Sequence, residues 1–206
     1  MTAEAFKKCY DWAERTSSKR LRDCELPTLR VEELRLRIPE WLPEFSGTYV
    51  IKVEMPDRKV WAGYQRVVLD EDVEDVAKTG DRIGWVGYNS NLNVCERRFA
   101  QTKEFMHMFD EIGARVVGDE SHMHLMREID LHPPQPSESY KAENLAQWKA
   151  VLILAPNEVR NECVKRIKDG QFSIDDVAMY LRVPQVIVSS ILSDSCVHAR
   201  RLFVGQ

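Results

Sequence analysis

Between Thr48 and Tyr88 the chain carries three short stretches, TYVIKVEM (48–55), KVWAGYQRVVL (59–69) and RIGWVGY (82–88), rich in β-branched and aromatic residues. In the first, apolar and polar residues alternate, which places every second side chain on one face of a strand. Segments before and after this block repeat their apolar residues at helical spacing instead. A chain so arranged is confined to an α+β fold: a small antiparallel or mixed sheet packed on helices, with a helical C-terminal segment. Pro27, Pro39, Pro43 and Pro56 interrupt the approach to the sheet, and Asp70 to Asp81, acidic except for Lys78 among its charged residues, reads as a solvated loop or short helix.

The helical segments are legible from their spacing. Phe6, Cys9, Tyr10 and Ala13 fall at i, i+3, i+4 and i+7 within a first helix from Glu4 to about Cys24. Its basic end, Lys19, Arg20 and Arg22, reads as a solvated helix terminus. Phe99, Thr102, Phe105, Met106 and Phe109 form a stripe on a helix from about Cys95 to Ile112, after the turn-forming Asn89-Ser90-Asn91. A polar loop through His122, His124 and His132 follows. A second long helix starts at Glu138 and is stopped or restarted by Pro156, and Asn157 to Ser193 continues in helical pattern. There is no internal repeat and no low-complexity segment. Residues 1–46 form an N-terminal helix and proline-rich connection, 47–206 the main domain, and the two are expected to make one unit.

Composition excludes several classes. With 44% hydrophobic and 30% charged residues among 206, and no apolar run near the ~20 residues of a membrane helix, the chain reads as a soluble cytoplasmic protein without a signal peptide. Its five cysteines, Cys9, Cys24, Cys95, Cys163 and Cys196, are scattered without a C-x-x-C pair, so reduced core thiols are expected rather than a disulfide framework or a cysteine zinc site. The formal net charge of -4 offers no bulk attraction to a phosphate backbone, so nucleic acid is not an expected partner.

One local string carries chemistry. Lys103-Glu104-Phe105-Met106-His107 has the spacing of H-E-x-x-H with lysine in the first position. In that pattern the histidines, four apart and so on one helix face, hold zinc, while the glutamate serves as general base for the metal-bound water. Lysine cannot replace the first histidine: with a pKa of about 10.4 it is an ammonium with no lone pair and repels a dication.

The wider context resembles the ImmA/IrrE family of metallopeptidases. The run from Arg82 through Asn89-Ser90 and Glu96-Arg97-Arg98-Phe99 to His107 is similar to that family's strand, turn and H-E-L-G-H helix. Glu143 to Pro156 (ENLAQWKAVLILAP) resembles its E-A-N-x-F-A-x-x-L-L-M-P helix, and Ile174 to Pro184 its closing segment. The resemblance covers roughly Gly47 to Leu192. It implies a zincin-like α+β core and, in active members, zinc-dependent cleavage of helix-turn-helix repressors that frees phage, mobile-element or stress genes.

This chain departs from the pattern where the metal would bind. Lys103 stands in the first ligand position, and with Pro156 aligned to the family proline, Leu145 falls on the third ligand. Glu143 lies two residues earlier, about 200° round the helix, so it could serve only if the helix were locally shifted. The expectation is a pseudoenzyme without a cofactor, in which the Lys103 ammonium takes the cation position, pairs with Glu104 or Glu143, and leaves a domain that binds another protein, such as a repressor of a phage or mobile element. The rival is an active zinc endopeptidase with Glu104 as base and His107 and Glu143 as ligands.

Other readings stay beside these. His122 and His124 could rebuild a site with His107, Cys95 could be a nucleophile with His107, and His107 alone could be an ordinary satisfied histidine. Ser173 to Leu192 has the outline of a helix-turn-helix with Ser173 as N-cap and a turn at Val183-Pro184, which would make a DNA-binding regulator. Gln185 to Leu192 contains no lysine or arginine, however, and a helical pair packed under the core is the expected role. Arg200 and Arg201 read as a solvated tail.

Overall fold

Helix α1 spans Thr2–Arg22 and buries Phe6, Cys9, Tyr10 and Ala13 on the stripe that the spacing defines. The computed structural model describes residues 2–23, 25–55, 61–68, 82–110, 125, 128 and 134–205. The acidic segment 70–81, most of the histidine loop including His122, His124 and His132, and Cys24 lie outside the described residues.

Helix α2 (Val31–Trp41) was not expected, because Pro39 lies inside it. Two contacts explain how the proline is tolerated. It sits in the last turn, and the Arg35 carbonyl that its missing N–H would have bonded accepts from Thr48 Oγ1 at 3.4 Å. The Arg35 guanidinium in turn donates to the Thr48 carbonyl. The helix therefore joins the sheet through the same residue that relieves its defect. Val31, Leu34 and Ile38, at i, i+3 and i+7, were the signal for it, and Leu34 and Ile38 are buried.

Arg20 is likewise no solvated terminus. It pairs with both oxygens of Glu33 at 2.9 and 3.0 Å and donates to the Thr28 carbonyl, fastening α1 to α2.

The sheet contains β1 (Phe45–Val53), β2 (Ala62–Val68) and β3 (Arg82–Asn89) in the order β1-β3-β2. It is mixed: β1 runs parallel to β3, with Val50 opposite Val86, and β2 antiparallel to it, with Gln65 opposite Trp85. A boundary at residue 46/47 falls inside β1. Thr48 and Val86 face the helices, whereas Tyr49, Ile51 and Trp85 face outward. Gly84 makes the inner face unusually close, since a Cβ there would run into the Met108 side chain. The residues just after the next helix thus lie directly on the sheet.

The remaining elements are helical: α3 (Val94–Met106) with a 3-10 turn (His107–Phe109), α4 (Glu138–Leu154), α5 (Asn157–Lys168), α6 (Ile174–Leu181), α7 (Gln185–Leu192) and α8 (Asp194–Val204). Arg200 and Arg201 belong to α8 rather than to a tail. Phe6 of α1 makes edge contacts with Phe109 and Phe203, each 6.0 Å between centroids, so N-terminal and C-terminal helices share one hydrophobic cluster. The fold class is α+β, mostly helical, with a three-stranded mixed sheet. Among the described residues no helix is long and apolar enough to cross a membrane.

Pro156 ends α4 and leaves α5 without a cap of its own, a gap that α1 fills. Glu14 accepts from the Asn157 N–H at 2.6 Å and the Glu158 N–H at 2.9 Å, and from the Tyr10 hydroxyl at 2.8 Å. A carboxylate at a helix N-terminus satisfies free amides and meets the positive end of the dipole. Glu14→Ala is therefore expected to lose about 1–2 kcal/mol in urea denaturation, with Glu14→Gln retaining part of it.

Candidate functional site

The site is built where α3 meets α4. Asn93 starts α3 by accepting from the Cys95 and Glu96 amides at 2.9 and 3.0 Å, while Glu96 reaches back to the Asn93 N–H at 2.9 Å. Phe99, Thr102, Phe105 and Met106 are buried, as the stripe requires. This fixes the rotation of the helix and sends Lys103, Glu104 and His107 toward α4. On α4, begun by Ser137, the residues Glu143, Ala146, Ala150 and Ile153 follow i, i+3, i+7 and i+10. Small alanines allow close approach of α3.

Glu143, not Leu145, faces the site. Leu145 is 39% exposed, and α4 is regular through this region. No local shift of the helix is needed to bring Glu143 to Lys103 and His107, contrary to the expectation drawn from the alignment on Pro156. The register is set by the alanine stripe that packs on α3 rather than by the distance to the proline.

The side chains form a chain of alternating charge. Lys103 Nζ lies 3.2 Å from Glu104 Oε1 and directly against Glu143 Oε2. The other oxygen of Glu143 is 3.2 Å from His107 Nε2, too poorly aligned for a hydrogen bond. His107 Nδ1 is 2.9 Å from Asp110 Oδ2, and Asp110 Oδ1 is 2.6 Å from Lys149 Nζ. Lys149 also donates to the Phe109 carbonyl at 3.4 Å and lies over the Phe6 ring. Glu104, with 5% of its side chain exposed, is the most enclosed member.

Electrostatics favours the charged form of each shifted group. Burial pulls the Lys103 ammonium toward neutrality, but Glu104 and Glu143 outweigh it and raise its pKa. Burial likewise opposes ionisation of Glu143, and His107 and Lys103 reverse the effect, holding it below the usual carboxylate range. For Asp110 burial is again overcome, by His107 and Lys149. His107, pulled down by burial, is pushed up to about 9 by Asp110 and Glu143. With His107 protonated, the carboxylates of Glu104, Glu143 and Asp110 face an equal number of cations, Lys103, His107 and Lys149.

Stability should follow this pattern. The folded chain holds the His107 proton more tightly than the unfolded one, whose ordinary value is 6.5. That contribution is complete below pH 6.5 and fades as pH rises through 9, a loss of up to about 3 kcal/mol. Glu143 and Asp110 act in the opposite sense, supplying stability above their unfolded values of 4.5 and 3.8 and losing it as pH falls through their lower folded values. Urea midpoints should fall between pH 6.5 and 9, and His107→Gln should flatten that limb.

Zinc, which the resemblance implies, does not fit this donor set. The ammonium of Lys103 lies against both carboxylates, so a positive charge without a lone pair already occupies the place between them. Among the described residues no cluster of three or more His, Cys, Asp or Glu side chains is disposed to hold a metal. Cys95 does not approach His107, because the length of α3, about 18 Å, separates them.

Asp110 and Lys149 were not singled out from sequence. The available signal was a lysine at 149 inside the run Ala146 to Ala155, most of which is apolar and buried. A shallow cavity of about 470 Å³ lies elsewhere, between Arg22 of α1 and Glu158, Glu162 and Lys165 of α5.

The C-terminal helices take the expected outline: Ser173 Oγ accepts from the Asp176 N–H at 3.2 Å, and Arg182 turns the chain with a φ of 51°. The outer positions of the pair include Met179 and Val186, both more than 60% exposed. Val177, Leu181, Val188 and Ile191 join the common core.

No protein-family model matches the sequence, and no curated protein matches it.

Proposed function

We propose that the chain is a metallopeptidase-like domain of the ImmA/IrrE type whose metal position is taken by its own lysine. In this reading the core is zincin-like, the protein is a cytoplasmic pseudoenzyme, and it acts by binding another protein without cutting it. A helix-turn-helix repressor of a phage or mobile element is the expected partner. The observation that carries the proposal is the ammonium of Lys103 lodged against Glu104 and Glu143. Its support from sequence is the order of the three blocks between Arg82 and Pro184. Glu104, with 5% of its side chain exposed and its carboxylate paired with an ammonium, is engaged as a counter-ion rather than left free as a base.

The experiment is incubation of the purified chain, with zinc supplied, with helix-turn-helix repressors of phage and mobile elements. Intact repressor, and binding that is the same for the Glu104→Gln variant, is the expected result. Cleavage that Glu104→Gln abolishes would establish the enzyme instead.

A further inference from the structure

Strand β1 is an edge of the sheet and packs against α2, whereas α3 packs against β2 and β3. The direction of its backbone groups follows from the bonds they make. The Val53 carbonyl accepts from the Ser90 N–H just beyond β3, and the Thr48 carbonyl accepts from the Arg35 guanidinium. Backbone groups alternate along a strand, so those of Tyr49, Ile51 and Val53 bond to β3, while those of Thr48, Val50 and Lys52 point away from it. Arg35 covers the first of these. Among the described residues nothing bonds to the outward N–H and C=O groups of Val50 and Lys52.

The side chains beside this edge form two rows. Tyr49, Ile51 and Val53 face outward with Trp85 of β3, each more than a third exposed, and the Tyr49 and Trp85 rings stand 5.6 Å apart. In the other row Val50 packs on the core, and Lys52 is exposed with no ionic partner among the described residues. A second copy does not suit this edge. A two-fold antiparallel pairing confined to the free positions sets Val50 opposite the other copy's Lys52 and makes the two lysines diagonal neighbours, where like charges repel. A strand with a carboxylate at that place meets Lys52 favourably instead.

We infer that the free edge of β1 receives an extended segment of a partner protein, bonded through its backbone to Val50 and Lys52, with apolar side chains beside Tyr49, Ile51 and Val53 and a carboxylate against Lys52. Main-chain bonds then supply affinity, and the two rows of side chains supply selectivity. The edge is separate from the Lys103 cluster, so this docking goes beyond the proposed metal-free reading and holds whatever the metal content of that cluster.

The test is fluorescence anisotropy of labelled peptides titrated with the full chain. In antiparallel register the peptide TVEVTVT sets its glutamate opposite Lys52 and its valines opposite Val53, Ile51 and Tyr49. Wild type should bind it saturably, bind TVKVTVT roughly tenfold more weakly, and ignore the shuffled peptide VVVETTT. Lys52→Glu should reverse the preference between the two alternating peptides. Val50→Pro should abolish binding with little change in melting temperature, because the Val50 N–H serves the edge and not the sheet. Should Val50→Pro fail to fold, the surface substitution Lys52→Glu still decides. Absence of TVEVTVT binding, equal binding of the shuffled peptide, or an unchanged preference in Lys52→Glu overturns the inference. Sedimentation of the chain alone should show a monomer, and a dimer that TVEVTVT disperses would assign the edge to a second copy and overturn it as well.

Discussion

A Lys149→Met variant is expected to lose about 3–5 kcal/mol of stability. The side chain is 9% exposed, its ammonium is 2.6 Å from Asp110, and the ammonium lies over the Phe6 ring. Methionine would fill the space but leave the Asp110 carboxylate, itself 12% exposed, with His107 as its remaining charged partner. Breaking one side of a buried pair costs far more than removing both, because the surviving charge keeps its desolvation penalty. The double variant Lys149→Met/Asp110→Leu should therefore lose less than the sum of the two single losses, although it also takes Asp110 from His107. A double-mutant cycle by urea denaturation measures the coupling. Independent, additive effects would show that the pair is solvated.

Arg98→Met is expected to cost a similar amount, about 3–5 kcal/mol, for a different reason. Its guanidinium is buried and donates to the Leu29 carbonyl at 3.1 and 3.2 Å, to that of Leu181 at 2.7 Å and to that of Arg182 at 3.3 Å. One side chain thereby fastens α3 to the connection before α2 and to the end of α6, where the chain turns through a left-handed residue. Burial draws its pKa down to about 10, which still leaves it charged at neutral pH. Methionine would leave three carbonyls without these donors, and Arg98→Lys should rescue less than half, since an ammonium cannot reach in several fixed directions at once. Hydrogen exchange should report faster opening of α6 and α7 than of α4. Uniform loss across all helices would contradict the clamp.

The strands and most helices were legible because their signals are local. Phe6, Cys9, Tyr10 and Ala13 mark the buried face of α1, and the alternation at Thr48 marks β1, without reference to anything distant. Helix α2 was hidden by Pro39, whose cost is met by Thr48 from another element. Strand pairing was open for the same reason: alternation identifies a strand but not its neighbour, and the parallel contact of β1 with β3 skips over β2.

Within the site, Lys103, Glu104 and His107 were legible because i, i+1 and i+4 share one helix. Glu143 was expected to turn away unless the helix shifted, because a proline 13 residues along the chain does not set a rotation that packing against α3 sets. Lys149 and Asp110 were invisible as a pair, being joined across 39 residues. Charge balance among six side chains is a property of the folded arrangement, and Asp110 and Glu143 within it raise the His107 pKa.

The most direct measurement is metal content of the wild-type protein purified without chelators and in the presence of zinc. The account predicts well below one zinc per chain, with Lys103 bonded to both carboxylates in place of the ion. One tightly held zinc per chain, lost in the Glu143→Gln variant, would contradict it.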